Sequence, residues 1–587
     1  MRLKSTTSDE IVDLSSGYAI LTERDFRITP EHGVVPRVWA ALPLLFMDIN
    51  SGVDTKDWRE ARQWRYGFKF MHEWGNDCDT VLFRGRLMMV LMALGLGLLI
   101  FFWARRLYGN AAGLFALALF AFSPNFLAHG RLVTTDVPLA FTMLLSLFLF
   151  DGALRRPNPL RAALAGLAFG AAMLTKFSAP VLIVFFVVML LVRALTAGTV
   201  HAWLGKRFAL STRRARLGAM SLALLAALIV AYATIWAGYG FRFSAFNSPE
   251  GRFSYRAGEL PEYRWVRPLY SFAMEKRLFP EAFLHGFQVI SSVERRGSFA
   301  YLDGEQSVRG WRRYFVMTFL YKTPVPMLIL ILVTAALSFR ISRGKWIDEI
   351  PLYLLFAVYY LISIFSNINI GHRYLLPVLP PLFILVSKLI NHVQMRGRTN
   401  TVLASTILAA LFGWYACGTL AVYPHYLAYF NEIAGGPDNG HKHLTDSNLD
   451  WGQDLKLLKQ YMDRNGIRRI HLAYWGNASP RYYGIDYEYL PCDVRDAGLD
   501  RASPPPTIEP GDWVAVSANL WTDSFYTPGR SRITKYGNLR PFLGAEPVAK
   551  IGYSIWVFRA CRPIAFKLSP PTRTRAPQWV PVTLPAE

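Results

Sequence analysis

Apolar residues in this chain are gathered into long runs rather than spread with the period of a soluble core, and short junctions rich in arginine separate the runs. The run Leu87 to Ala104 carries no charge over 18 residues. At about 1.5 Å rise per residue, such a helix nearly covers a hydrocarbon layer roughly 30 Å thick. Spans are predicted near 87–104, 111–128, 137–154, 162–175, 177–194, 217–238, 323–339, 349–366, 374–392 and 401–422. The stretch 162–194 reads either as a broken hairpin or as one long tilted helix. Lys176 within it is a charge at membrane depth, which must face protein or a wet cavity, or snorkel to the interface.

The basic residues orient this array. Arg105 and Arg106, then Arg155, Arg156 and Arg161, then Lys206, Arg207, Arg213, Arg214 and Arg216, then Arg340, Arg343 and Lys345, then Arg396 and Arg398 fall on alternate junctions. The positive-inside rule makes those junctions cytoplasmic. Strict alternation then places residues 1–86, 239–322 and everything after Pro424 on the outer face. Nothing apolar precedes residues 1–86 to carry them across, because the opening MRLKSTTSDE is polar. The expectation is therefore a start further upstream with one more span, or another route of translocation.

Composition adds little beyond this. Hydrophobic residues make up 52% of the 587, and the net charge of +23 would ordinarily raise nucleic acid as a partner. Here many of the basic residues sit in the short junctions, so the charge records topology and no nucleic-acid partner is expected. Cys78, Cys417, Cys492 and Cys561 show no metal-ligand spacing, and a Cys492–Cys561 disulfide is open only if the carboxy-terminal region is extracytoplasmic.

Chemistry-bearing residues cluster in the predicted outer segments. Asp9-Glu10 precedes a segment with helical apolar spacing, Ile11, Leu14, Tyr18 and Leu21, and a second segment runs from Val34 to Phe46 with Pro36 and Pro43. Both are amphipathic enough to lie along the interface, which would hold the acidic pair at the membrane surface. Asp9 reads either as an acidic helix cap or as a catalytic carboxylate. Arg131 and Asp136 share a short outer turn, where Asp136 either caps the next helix or joins Arg131 in an ion pair or polar pocket. At other outer junctions, His372, Arg373 and Lys322 lie where Arg and Lys could meet a lipid phosphate or simply anchor the interface. After Pro424 the pattern changes to a helix at Asp450–Arg464 and strands at Arg469–Tyr474, Trp513–Ala518 and Val548–Arg559, a small α/β domain. Ser503–Pro506 reads as a linker and Ser569–Glu587 as a proline-rich tail.

Taken together, several motifs carry a resemblance: Asp9-Glu10 with Gly17-Tyr18, Asp25-Phe26-Arg27 and Pro30-Glu31-His32, then Ser123-Pro124-Asn125 with Arg131 to Asp136, Gly371 to Pro377, and Ser447-Asn448-Leu449-Asp450-Trp451-Gly452-Gln453-Asp454. The combination resembles polyprenyl-phosphate-dependent glycosyltransferases of the GT-C superfamily, related to protein O-mannosyltransferases and the lipid A aminoarabinose transferase. The resemblance implies a polytopic α-helical, GT-C-like membrane protein with an outer-face α/β domain. It further implies inverting transfer of a sugar from a polyprenyl phosphate to a hydroxyl on a protein, lipid or glycan, at the outer face of a bacterial inner membrane. By motif position it makes Asp9 the base, with Glu10 and Asp136 orienting the base or the sugar. Arg373, Lys322 and His372 are then candidates to meet the phosphate charge, and a divalent-metal requirement stays open. Two features depart from the family pattern: the missing leading span, and Gly33-Val34 where a Pro-Pro pair commonly follows Pro-Glu-His. A multi-span transporter or a noncatalytic assembly subunit are the competing readings.

Overall fold

The structure, a computed structural model, describes all residues except 204–205, 248–251, 254–265, 342–345, 395–397, 491–506, 527–545 and 566–587. Arg343, Lys345, Arg396, Cys492, the linker and the tail lie outside the described residues.

Before the first span come α1 (Ser8–Glu23), α2 (Val34–Ala41) and α3 (Gln63–His72), with a single helical turn at Lys56–Arg59 between the last two. Six helices among the described residues are long and apolar enough to cross a membrane, the first being α4 (Cys78–Tyr108). After it, the predicted span 111–128 is cut short: α5 ends at Ala121 (Asn110–Ala121), and a separate helix turn, Pro124–His129, follows. The break falls at Ser123-Pro124, where a proline suits the first position of a new helix but not the interior of the old one. Next come α6 (Asp136–Arg155), α7 (Pro159–Met173), α8 (Val181–Thr196) and α9 (Arg213–Gly238). The stretch left open as hairpin or tilted helix is thus two helices, α7 and α8, turning around Lys176.

Beyond α10 (Glu281–Arg296), α11 (Tyr314–Lys322) meets α12 (Val325–Ile341) at a bend of 111°. Thr323-Pro324 sits at that corner, where proline disfavours helical geometry in the residue before it. The array closes with α13 (Trp346–Phe365), α14 (His372–Asn391) and α15 (Arg398–Leu420).

Packing shows which faces meet lipid. Leu87, Leu91, Leu94, Leu98 and Phe102 of α4 are each about half exposed and form one stripe at helical spacing. The opposite face of the helix, with Leu96, Ile100 and Trp103, is fully buried. At one end of the array, Arg106, Arg155 and Arg193 converge on Asp151 at 2.5, 2.7 and 3.1 Å, and Arg155 and Arg193 each reach Asp348 at 2.8 Å. These side chains come from α4, α6, α8 and α13, so the arginine-rich ends share one side, as the alternation requires. The other end of the array carries Asp136, Lys176 and Arg373.

On that second side the carboxy-terminal region folds as α16 (Leu455–Arg464) over a mixed sheet of β1 (Ile470–Ala473), β2 (Tyr487–Tyr489), β3 (Trp513–Ser517), β4 (Ala549–Ile551) and β5 (Ile555–Arg559), in the order β2-β1-β3-β5-β4. Strand β1 runs parallel to β2 and β3, whereas β5 is antiparallel to β3 and β4. The single strand predicted over Val548–Arg559 is therefore a hairpin, turning at Gly552 and Tyr553, both with positive φ. Leu455, Leu458 and Met462 of α16 pack on Ile470, Leu472, Ile555 and Val557 of the sheet.

The amino-terminal helix departs from its expected setting. Read from its spacing, α1 should expose a polar face to water and rest its apolar face on the interface. In the structure, Ser8 and every residue from Glu10 through Ile20 are buried. The helix is enclosed by α2, α3 and the carboxy-terminal region rather than lying open on lipid. Gly17 permits the closest approach, since a β-carbon there would fall 2.2 Å from the Arg37 carbonyl oxygen. The segment Val34–Phe46 keeps an interfacial character, with Leu45 and Phe46 exposed.

Candidate active site

The chain before α1 is held by the Asn448–Asp454 motif. Ser5 N–H donates to the Gln453 carbonyl at 2.9 Å, Ser8 N–H to the Trp451 carbonyl at 3.2 Å, and the Ser5 hydroxyl to the Gly452 carbonyl at 3.0 Å. Lys4 forms a buried ion pair with Asp454, whose other oxygen accepts from the Ser554 hydroxyl at 2.6 Å. Gly452 has φ of 82°, and a β-carbon there would meet the Tyr474 hydroxyl at 2.5 Å. The motif thus works as a clamp that fixes where α1 begins.

Thr7 is the N-cap of α1, and Glu10 reaches back to the Thr7 N–H at 2.8 Å and hydroxyl at 3.1 Å in a capping box. Glu10 is fully buried; it also accepts from Arg86 Nε at 2.8 Å, Arg86 Nη2 at 2.6 Å and the Val133 N–H at 3.2 Å. Capping therefore falls to Thr7 and Glu10. Asp9, about 100° around the helix from Glu10, is left to face elsewhere.

What Asp9 faces is Arg373. Arg373 Nη1 donates to Asp9 Oδ2 at 2.7 Å and lies 3.4 Å from Asp136 Oδ2. Lys176 Nζ donates to the other oxygen of Asp136 at 2.5 Å. Two carboxylates and two cations therefore alternate in one chain, with no net charge. Aromatic rings back the cations: the Arg373 guanidinium lies 4.4 Å from the Trp451 ring centre, and Lys176 Nζ lies 4.2 Å from that of Tyr374. The Asp136 side chain is 1% exposed, whereas those of Asp9 and Lys176 are 14% and 21% exposed. The cluster is accessible at Asp9 and Lys176 and closed behind Asp136. Arg373 Nε is buried without a hydrogen-bond acceptor among the described residues.

The other expected residues lie around this cluster without joining it. Arg131 does not pair with Asp136 as the shared turn suggested. Its Nη2 points to the Pro424 carbonyl at 3.5 Å, while Asp136, at the start of α6, takes Lys176 and Arg373 from the bundle interior. Lys322 is buried, and its ammonium donates to the carbonyls of Leu427 at 2.8 Å and Asn448 at 2.7 Å. It braces the loop that carries the clamp motif, and no hydrogen bond or ion pair among the described residues links it to Asp9 or Asp136. His372 is buried, with its backbone N–H donating to Asn448 Oδ1 at 2.8 Å. Among the described residues no group of three or more His, Cys, Asp or Glu side chains is placed to hold a metal ion.

One pair had no role assigned from sequence. Asp13, one turn beyond Asp9, is buried and bonds His32 Nδ1 at 2.7 Å. Burial by itself lowers the imidazole pKa, but the Asp13 charge and hydrogen bond, with Asp9 and Glu31 adding, push it up to about 9. The motif Pro30-Glu31-His32 was the available signal; the 19-residue separation concealed the partner. A histidine whose folded pKa exceeds its ordinary value of 6.5 contributes stability that is complete below that value and is lost as pH rises through about 9. Thermal unfolding of the detergent-solubilised chain, followed from neutral to strongly alkaline pH, should show this loss, and His32→Gln should flatten it. Parallel pH curves for the two proteins would contradict the pairing.

With this geometry in view, comparisons with known proteins place the chain in context. Residues 78–215 match the family described as dolichyl-phosphate-mannose-protein mannosyltransferase. The stretch runs from the start of α4 into α9 and includes Asp136 and Lys176, so this part of the chain is similar to that family, in agreement with the resemblance drawn from the motifs. No curated protein matches the sequence. Among solved structures, ArnT from Cupriavidus metallidurans bound to undecaprenyl phosphate is similar at 12% identity, with a TM-score of 0.43 and 94% of each chain covered. The archaeal oligosaccharyltransferase AglB from Archaeoglobus fulgidus, in complex with an inhibitory peptide and a dolichol-phosphate, is similar at 12% identity with a TM-score of 0.38, over 71% of this chain and 52% of that one.

Proposed function

We propose that this chain is a GT-C-type glycosyltransferase that moves a sugar from a polyprenyl phosphate to an acceptor hydroxyl at the outer face of a bacterial inner membrane. The observation that carries the reading is the partly exposed Asp9 carboxylate, held by Arg373 at the span ends beside Asp136 and Lys176. A base and a cation that can meet a phosphate are thus in direct contact where a membrane-borne donor would arrive.

In the proposed step Asp9 takes the proton of the acceptor hydroxyl as its oxygen bonds to the anomeric carbon. The bond from that carbon to the phosphate oxygen breaks, and polyprenyl phosphate leaves with the electron pair, inverting the configuration. The resting ion pair has a consequence for this step. At rest Arg373 donates to Asp9, and an incoming phosphate competes for the same guanidinium. Donor binding therefore draws Arg373 toward the phosphate and frees Asp9 to accept the proton. Asp136 and Lys176 keep Arg373 at the correct height, and Glu10 fixes the helix turn that presents Asp9.

The reading is tested by reconstituting the chain in liposomes with a radiolabelled sugar on polyprenyl phosphate and a membrane extract as acceptor source. Label should move from the donor lipid to acceptor as polyprenyl phosphate accumulates. A donor that stays intact beside excess folded protein would overturn the proposal.

A further inference from the structure

A second polar site lies on the same side of the span array. A cleft of about 410 Å³ is lined by Arg295, Arg309, Arg312, Trp311, Ser366 and Asn367, and no acidic residue among the described residues lines it. Ser366 and Asn367 follow directly on Phe365, the last residue of α13, so the cleft opens at the membrane boundary. Its walls are fixed by hydrogen bonds. Glu294, the carboxylate beside it, is taken up by the Ser366 hydroxyl at 3.0 Å and the Asn367 N–H at 2.7 Å. Asn369 accepts from the Trp311 N–H at 2.8 Å, and Arg312 Nη1 donates to the Phe365 carbonyl at 2.7 Å while its guanidinium lies 4.7 Å from the Phe365 ring centre. Three arginines and a tryptophan therefore line one cleft, and the Glu294 carboxylate beside them is already engaged by Ser366 and Asn367.

We infer that this cleft binds the phosphate of a membrane-borne acceptor, a role that rests on the transfer reaction proposed above. Arginine offers planar, multiple donors to phosphate oxygens, and phosphate headgroups populate the boundary at which the cleft opens. Arg373 is six positions beyond Asn367, so their α-carbons are no more than about 22 Å apart. A phosphate anchored here leaves a lipid-linked saccharide free to extend its hydroxyl toward Asp9. The cleft selects acceptors that carry phosphate, while the Asp9 cluster performs the transfer.

The test measures binding without turnover. The full chain in phosphatidylcholine nanodiscs is titrated with two water-soluble probes, dihexanoyl phosphatidic acid and glucose 1-phosphate. Saturable binding of either supports the site, and the tighter probe shows whether a glycerolipid or a saccharide carries the phosphate. Arg309→Gln and Arg312→Gln, both changes at exposed side chains, should each weaken binding at least roughly tenfold, whereas Arg481→Gln, an exposed change in the carboxy-terminal region, should bind as the unaltered chain does. No saturable binding of either probe, or equal affinity in the Arg variants, would overturn the inference. Neither result would bear on whether Asp9 is the base, which the transfer assay reads separately.

Discussion

Replacing Asp9 with asparagine should reduce sugar transfer by about a thousandfold, within the range expected for loss of a positioned general base, and should leave the chain folded. The folded state tolerates the change because Asp9 is at the mouth of the cluster. Arg373 keeps its contact with Asp136 and its place over Trp451, so removing one carboxylate does not strand a buried cation. An asparagine amide still accepts a hydrogen bond from Arg373 through its oxygen, so local geometry survives while the basic group is gone. The measurement is transfer rate per folded molecule in liposomes, with gel filtration in detergent confirming an unchanged elution profile. A variant that keeps more than about a tenth of the original rate would exclude Asp9 as the base. Because the loss is expected in the chemical step, donor affinity should change far less than turnover.

The different fates of the singled-out residues show what a sequence can convey. Among the described residues, six of the ten predicted spans coincide with helices long and apolar enough to cross a membrane, legible because lipid demands unbroken apolar length, and the arginine junctions were legible because membrane insertion sorts charge. That Asp9 and Arg373 belong together was available only through the motifs, since 364 residues separate them. The enclosure of α1 was not legible, for a physical reason. Ser15 and Ser16 return their hydroxyls to carbonyls of their own helix, those of Val12 and Asp13, and so need no water. A face carrying such residues reads as wet even when protein covers it. Lys322 misled in a similar way: a cation at a span mouth suggests an anionic ligand, but two backbone carbonyls hold it instead. The hydrophobic pattern says how much of a helix avoids water; it does not say which neighbour satisfies the remainder.

Glu10 carries the second large expectation, and it falls on stability where that for Asp9 falls on turnover. Arg86→Met should destabilise the chain by about 3–5 kcal/mol, the usual consequence of removing one partner of a buried ion pair and leaving the other charge without compensation. Arg86 is 1% exposed and Glu10 fully buried, so water does not replace the lost contact. The damage spreads because Arg86 also donates to the carbonyls of Met1, Lys4 and Ser5, at 3.1, 3.1 and 2.8 Å, tying the segment before α1 to the first span. Glu10→Met should cost a similar amount through the stranded guanidinium. The double variant should recover a good part of either loss, because no charge is then buried alone. Thermal stability in detergent reads these differences, and single variants as stable as the unaltered chain would refute the assignment. Activity per folded molecule separates the two acidic neighbours further. Glu10 touches no reacting group in the proposed step, so its loss should act through the placement of α1, where a displacement of about 1 Å can lower turnover on the order of a hundredfold. The residual activity of Glu10→Met should keep the pH profile of the parent chain, since Asp9, the proposed base, is still present.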